Sequence, residues 1–366
     1  MAARTGKSTL VFIGTYTKGN GKAEGIYVYE LDLKDGSLRH RHTEPGPVNP
    51  SFLTLDPSQQ HLYAVSEITD TDGRTGGGVS AFRVDRSSGA LTALNQQSSG
   101  GAGPCHVSVE ATGKFALVAN FASGSIAMLP IQGDGALGLA SDFVQHVGSS
   151  AHTQRQASAH AHSINPDPDN RFALVADLGM DKVLVYRMDL AAGKLQPHDH
   201  PWSQARAGAG PRHLAYHPNG RFVYVINEID STMSAYAYDA TAGTLEHRQS
   251  LSTLPEGFAG NNSTADVHLN PSGTFLYGSN RGHDSIAVFA VDPTSGEMTA
   301  RGQVPTQGRT PRNFGIDPSG TFLLAANQAT DTIISFRLNP ESGMPEPTGA
   351  VAQVPSAVCL KFAVLG

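Results

Sequence analysis

Cysteine is nearly absent from this chain. Cys105 and Cys359 are the only two. Two isolated cysteines make neither a disulfide framework nor a zinc site, and they suit a reducing compartment. Long apolar runs are missing as well. No stretch approaches eighteen apolar residues, so no membrane span or membrane partner is expected. The N-terminal MAARTGKSTLVFIGTYT lacks a long apolar core followed by a small-residue cleavage site, so no secretory signal is read and a cytoplasmic location is expected. Charge is sparse: 16% of residues are charged and the formal net charge is −6. That leaves no basic face of the kind nucleic acid requires. No C-x-x-C-H run is present, which removes covalent haem attachment.

What the chain has in abundance is turn formers, 40 glycines and 22 prolines in 366 residues, spread evenly enough to mark turns between short strands. One pattern recurs: an apolar strand, a turn on Asp-Pro or an equivalent, and a second strand with a polar end. HLAYHPNGRFVYVINE (213–228), VHLNPSGTFLYGSNR (267–281) and NFGIDPSGTFLLAANQ (313–328) are examples. The turn marker falls at Pro57, Ala111, Pro166, Pro218, Pro271 and Pro318. A second marker, Asp or Asn four residues before Gly, falls at Asp32/Gly36, Asp85/Gly89, Asp189/Gly193, Asp239/Gly243, Asp292/Gly296 and Asn339/Gly343, with Gly133-Asp134-Gly135 as a compact variant. The period is about fifty residues, and the segments between markers are rich in β-branched and aromatic residues.

A strand repeat of that length predicts an all-β, seven-bladed β-propeller with four antiparallel strands per blade, a to d from the axis outward. The chain opens on LVFIGTYT, which matches strand b, and closes on SAVCLKFAV, which matches strand a. The two termini are therefore expected to share one blade and close the ring, leaving no open sheet edge. A linear β-solenoid is the weaker rival, because fifty residues is long for one coil. Residues 8–366 read as one propeller domain and 1–7 as a short tail.

Equivalent positions of a propeller meet at the axis. The longest insertions, Asp70–Gly78, His146–Ala159 and Gly257–Ala265, all belong to connections that rim one face, which marks it as the binding face. At that face the start of strand a carries Ser51, Cys105, Arg212 and Arg312, and the next position carries His106, His213 and Asn313. The end of strand b carries Glu67, Phe121, Leu178, Glu228, Arg281 and Gln328. With the marker set on Pro166, the turn of the third blade is two residues longer, so either His160 or His162 can fill the matched position. Any one of these polar residues could simply line a wet bore. Their collection at one end favours a site. The turn Asp and Asn residues are structural, and His40, His42, His198 and His200 are expected to face solvent.

Two guanidiniums near a cleft offer fixed donor forks for carboxylate or phosphate. A neutral His takes a proton from water near pH 7, and Arg stabilises the oxyanion of an attacked ester carbonyl. Glu228 can orient an Arg or His, or act as the base. The set suits hydrolysis of a small anionic ester or lactone without a metal or cofactor.

FIGTYT, GPCHVSVEATGKFALVANFASGSI (103–126), HAHSINPDPDNRFALVADLGMDKVLVY (160–186), GPRHLAYHPNGRFVYVINE (210–228) and SNRGHDSIAVF (279–289) together resemble the propeller-type lactonase family of bacterial 6-phosphogluconolactonases and fungal carboxy-cis,cis-muconate lactonising enzymes. The resemblance covers roughly residues 8–364. It implies a seven-bladed propeller hydrolysing 6-phosphogluconolactone in the pentose phosphate pathway. The muconate branch is associated with one His, two Arg and one Glu, which match Arg212, Glu228, Arg281 and the HAHS segment. The expected catalytic set is His162 or His160 with Arg212, Glu228 and Arg281, and the expected substrate-binding set is His106, His213, Arg312, Glu67 and Gln328. A muconate-type lactonising isomerase, a non-enzymatic interaction propeller, and a calcium site built from Glu67, Asp177, Asn227 and Glu228 are the alternatives. Oligomeric state is left open, a monomer being compatible.

Overall fold

The computed structural model describes residues 8–19, 22–71 and 74–365; the expected tail, 1–7, lies outside them. Seven four-stranded antiparallel sheets form a ring. Blade 1 runs from Leu53–Leu55 to Leu91–Ser98, blade 2 from Pro104–Val109 to Asp142–Gln145, blade 3 from Ala161–Pro166 to Lys194–Gln204, and blade 4 from Pro211–Tyr216 to Thr244–Ser252. Blade 5 runs from Ser263–Leu269 to Met298–Pro305 and blade 6 from Pro311–Ile316 to Pro345–Gln353. Blade 7 joins the termini: Ala357–Leu365 is its strand a and pairs with Ser8–Thr15, its strand b. Each strand a touches the next around a closed circle. The closure read from the sequence is thus what the chain adopts.

Burial decides which sequence fills which strand. Strands b such as Phe115–Asn120, Phe172–Asp177, Phe222–Asn227 and Phe322–Asn327 are buried at every residue. Covered on both faces, they read as continuous apolar runs and not as alternating ones. Outer strands such as Leu38–Pro45 carry charged, exposed positions, which discourages edge-to-edge association.

The two turn markers have distinct jobs. At the a–b turn, Asp317 Oδ1 accepts the amides of Thr321 and Phe322 at 2.9 and 2.6 Å, so the side chain closes the turn that the backbone begins. At the c–d turn the glycine packs on the preceding blade. Gly296 has φ 76°, its carbonyl accepts Tyr224 Oη at 3.0 Å, and a Cβ there would lie 2.3 Å from the Phe222 ring. Gly343 repeats the arrangement on Tyr277 and Phe275.

Three sequence expectations need correction. In blade 3 the turn is built on Asp167-Pro168, not Pro166: Asp167 N donates to Phe172 O at 2.7 Å, as His217 N does to Phe222 O in blade 4. The turn of blade 3 is therefore no longer than that of blade 4, and Ala161 pairs with Asp177 as Pro211 pairs with Asn227. The insertion placed at Gly257–Ala265 ends earlier, because strand a of blade 5 begins at Ser263. His198 is also buried, edge-on to Phe172, whereas His40 and His200 are exposed and His42 is half-buried.

Candidate active site

Nearly every strand a carries a register shift at the same place. Pairing skips one residue between Pro104 and His106, Ala161 and Ser163, Pro211 and His213, and Pro311 and Asn313. Such a bulge re-aims a side chain. The skipped residues are Cys105, His162, Arg212 and Arg312, with Ser51 and Val358 at the matching places of blades 1 and 7. In blade 5 the gap widens to skip both Ala265 and Asp266. This register selects His162, not His160, as the partner of Arg212. His160 stands outside the ring at the rim, stacked on Phe121, with Nδ1–H donating to Phe121 O at 2.9 Å.

Glu228 is the electrostatic centre. Its Oε2 accepts Arg212 Nε at 2.8 Å and lies 3.0 Å from Arg281 Nη2, while Oε1 accepts Arg155 Nη2. Burial alone would raise this carboxyl, but Arg281, Arg212 and Arg155 outweigh it and hold it well below the usual carboxylate range. Three guanidiniums therefore keep Glu228, one of the sequence's candidates for the base, ionised at neutral pH. Arg281 also donates to Thr264 O at 2.7 Å, and its buried Nε meets no partner among the described residues. Burial pulls Arg281 down to about 9, with Glu228 acting against it, so it stays charged at neutral pH.

Arg212, 2% exposed, is fixed from a second side. Its Nη1 donates to Ala265 O at 2.5 Å and to His213 Nε2 at 3.3 Å. His213 Nδ1–H in turn donates to Asp266 Oδ1 at 2.7 Å, and Asp266 Oδ2 takes His268 Nε2 at 2.9 Å and Asn313 Nδ2. Both His213 nitrogens are thereby engaged, one by Arg212 and one by Asp266, and the side chain lines the cleft. His106, also expected to bind substrate, lies under the mouth between the rings of Phe52 and His213. Burial first, then neighbouring positive charge, lowers His213 to about 4 and holds His106 and His162 well below 6.5. All three imidazoles are neutral at pH 7.

Glu67 faces this group from blade 1. Its Oε2 accepts Tyr16 Oη at 2.8 Å and Ser51 Oγ. Arg312 lies 5.4 Å over the Tyr16 ring, and no hydrogen bond from its guanidinium to a described residue is found. Ser51, Glu67, Cys105, Arg212 and Arg312 line one small cleft. Gln328 holds the equivalent rim position of blade 6, its backbone N–H donating to Thr310 O at 3.0 Å. At the mouth, Arg155, Arg212, Arg281 and Arg312 oppose Glu67 and Glu228, an excess of positive charge suited to an anion.

The oxygen donors considered for calcium are not gathered. Asp177 is committed to His146 at 2.7 Å and to the amides of His160, Gly179 and Met180, and Glu228 to its arginines. Among the described residues no group of three or more His, Cys, Asp or Glu is placed to hold a metal. Sequence reasoning missed Arg155, Tyr16 and Asp266. Arg155 sits in a non-repeating insertion. Tyr16 follows the N-terminal strand b, at the position that Glu228 holds in blade 4. Asp266 lies in the widened bulge.

Fold and site together define a propeller with a small axial cleft lined by Arg212, Arg312 and Glu67 beside neutral histidines, an arrangement suited to polar attack on a small anionic ester. The chain belongs to the seven-bladed β-propeller lactonase family, whose model matches residues 10–362. It is 38% identical to a 6-phosphogluconolactonase of Bacillus subtilis, covering 84% of each chain. A 6-phosphogluconolactonase of Formosa agariphila is 34% identical, over 84% of this chain and 86% of the other. The solved structure of a periplasmic gluconolactonase of Pseudomonas aeruginosa superposes with a TM-score of 0.92 at 34% identity, covering 99% of this chain and 100% of that one.

Proposed function

We propose that this protein hydrolyses 6-phosphogluconolactone to 6-phosphogluconate, using the axial cluster around Glu228. The observation that carries the reading is the excess of guanidinium over carboxylate at the mouth beside neutral His162, in a chain of the lactonase family. Arg212 and Arg312 hold the lactone carbonyl and stabilise the oxyanion that forms on it. Water adds to the carbonyl carbon as His162 takes its proton. The tetrahedral adduct collapses, the ring C–O bond breaks, and the leaving oxygen takes the proton back from His162. Glu228 keeps Arg212 and Arg281 aimed at the cleft. The products are a carboxylate and a free hydroxyl, with no cofactor consumed.

The 8–366 span is taken as one domain. No helix is long and apolar enough to cross a membrane. A cytoplasmic setting is supported by the two buried free thiols, Cys105 and Cys359. The Pseudomonas neighbour's name favours a second substrate, the unphosphorylated gluconolactone. Supplying both lactones freshly made and following acid release above the spontaneous rate tests the reading. Faster turnover of the phosphorylated lactone supports it. No acceleration of either lactone defeats it.

A further inference from the structure

The 146–160 connection between blades 2 and 3 is the longest d-to-a crossing, and Arg155 is what it delivers to the site. This crossing is tied down beside that residue. Gln156, fully buried, donates from Nε2 to Leu178 O at 2.8 Å and to Asp181 Oδ1 at 2.7 Å, and its Oε1 accepts the His152 amide at 2.9 Å. Ser150 Oγ donates to the other Asp181 oxygen at 2.5 Å. At the foot of the loop, buried His146 bridges Asp177 at 2.7 Å and Tyr186 Oη at 3.0 Å. Arg155 is thus presented from a braced loop, with one donor on Glu228 and a side chain 42% exposed.

The other guanidiniums on Glu228 differ in exposure. Arg212 is 2% exposed and Arg281 13%. Those two share one carboxylate oxygen, Oε2. Arg155 bonds the other carboxylate oxygen, so its donor stands roughly 7 Å from theirs once two charged hydrogen bonds of about 2.8 Å and the carboxylate between them are spanned. That is the scale of a sugar lactone measured from its carbonyl to a phosphate on its far end. A guanidinium has five donors, so the one committed to Glu228 leaves others free to face the mouth.

We propose that Arg155 is the specificity-determining residue that recognises the distal phosphate of the substrate and favours phosphorylated over unphosphorylated sugar lactones. The proposal rests on the lactonase reading above and assigns to the loop what the repeating blades do not supply. Glu228 serves both ends, aligning Arg212 for the carbonyl and Arg155 for the phosphate.

The test uses the full chain and its Arg155→Met and Arg155→Lys variants. Values of kcat/KM are taken for 6-phosphogluconolactone and gluconolactone, and calorimetry measures binding of the products 6-phosphogluconate and gluconate. The preference for the phosphorylated lactone is expected to fall about 30-fold in Arg155→Met, as loss of a charged hydrogen bond predicts, and less in Arg155→Lys. The tighter binding of 6-phosphogluconate over gluconate should shrink in step. Equal losses for both lactones, or an unchanged preference, overturn the proposal and leave Arg155 as a brace for Glu228. If the wild type hydrolyses neither lactone, the lactonase reading fails. The binding arm then still decides whether Arg155 selects a phosphate.

Discussion

A histidine placed beside arginines is a weak base held in its active form. His162 is neutral at pH 7 because burial, Arg212, His213 and Arg312 all disfavour its protonation. Its protonation should therefore switch activity off only well below pH 6.5. With gluconolactone as substrate, kcat/KM is expected to be flat from about pH 6.5 to 7.5, with the acid limb below the usual imidazole range. Arg312→Leu removes one cause of the depression, so the limb should move toward higher pH; an unmoved limb would remove His162 as the titrating base. His213 makes a separate contribution, to stability. Its pKa is about 4 in the fold and about 6.5 unfolded, so between those values the unfolded chain binds more protons. Stability is complete above about pH 6.5 and is lost as pH falls toward 4, by roughly 3 kcal/mol from this residue. Melting curves across that range should show the fall, and His213→Gln should make it shallower, with His106 and His162 supplying the rest. Most of these residues were legible in sequence because matched blade positions deviate from the repeat. The choice between His160 and His162 was not, since Pro166 and Pro168 offer the same turn signature and only hydrogen-bond register separates them.

Among the elements, the c–d turns bind blade to blade. Their Asp-to-Gly spacing was plain in the sequence, but its purpose was not, because the partner is a Phe and a Tyr in the preceding blade. Gly296 has both a positive φ and an aromatic ring within 2.3 Å of where a Cβ would stand. Gly296→Ala should cost roughly 2–4 kcal/mol, from backbone strain and displacement of Phe222 together. Denaturant titration measures this; a change below 0.5 kcal/mol would mean the turn relaxes freely. The bulge of strand a is the second device. It gives blades of one sequence pattern a residue apiece aimed at the axis, and its widening in blade 5 hid Asp266 from alignment. The loops follow no repeat, so the arrival of Arg155 at Glu228 could not be read from the period.

For the whole molecule, ring closure is what makes a site out of separate blades. Glu228 of blade 4 meets Arg281 of blade 5 and Arg155 of the blade 2–3 crossing, while Glu67 of blade 1 meets Tyr16 of blade 7. Strand a of blade 7, Ala357–Leu365, covers the inner edge of Ser8–Thr15. A chain ending at Val354 should lose cooperative unfolding and near-ultraviolet ellipticity, because its ring would be left open with an unpaired strand edge. The central claim is that lactone opening belongs to the axial cluster. It is tested most directly by the rate of 6-phosphogluconolactone hydrolysis above the spontaneous background in the wild type and in Arg212→Lys, with melting temperature as the check on folding. The account predicts clear acceleration by the wild type and a loss of about 100-fold or more in the variant, because lysine lacks the fork that reaches Glu228, Ala265 O and the carbonyl together. Full activity in a folded Arg212→Lys variant, or a wild type no faster than water, would contradict it.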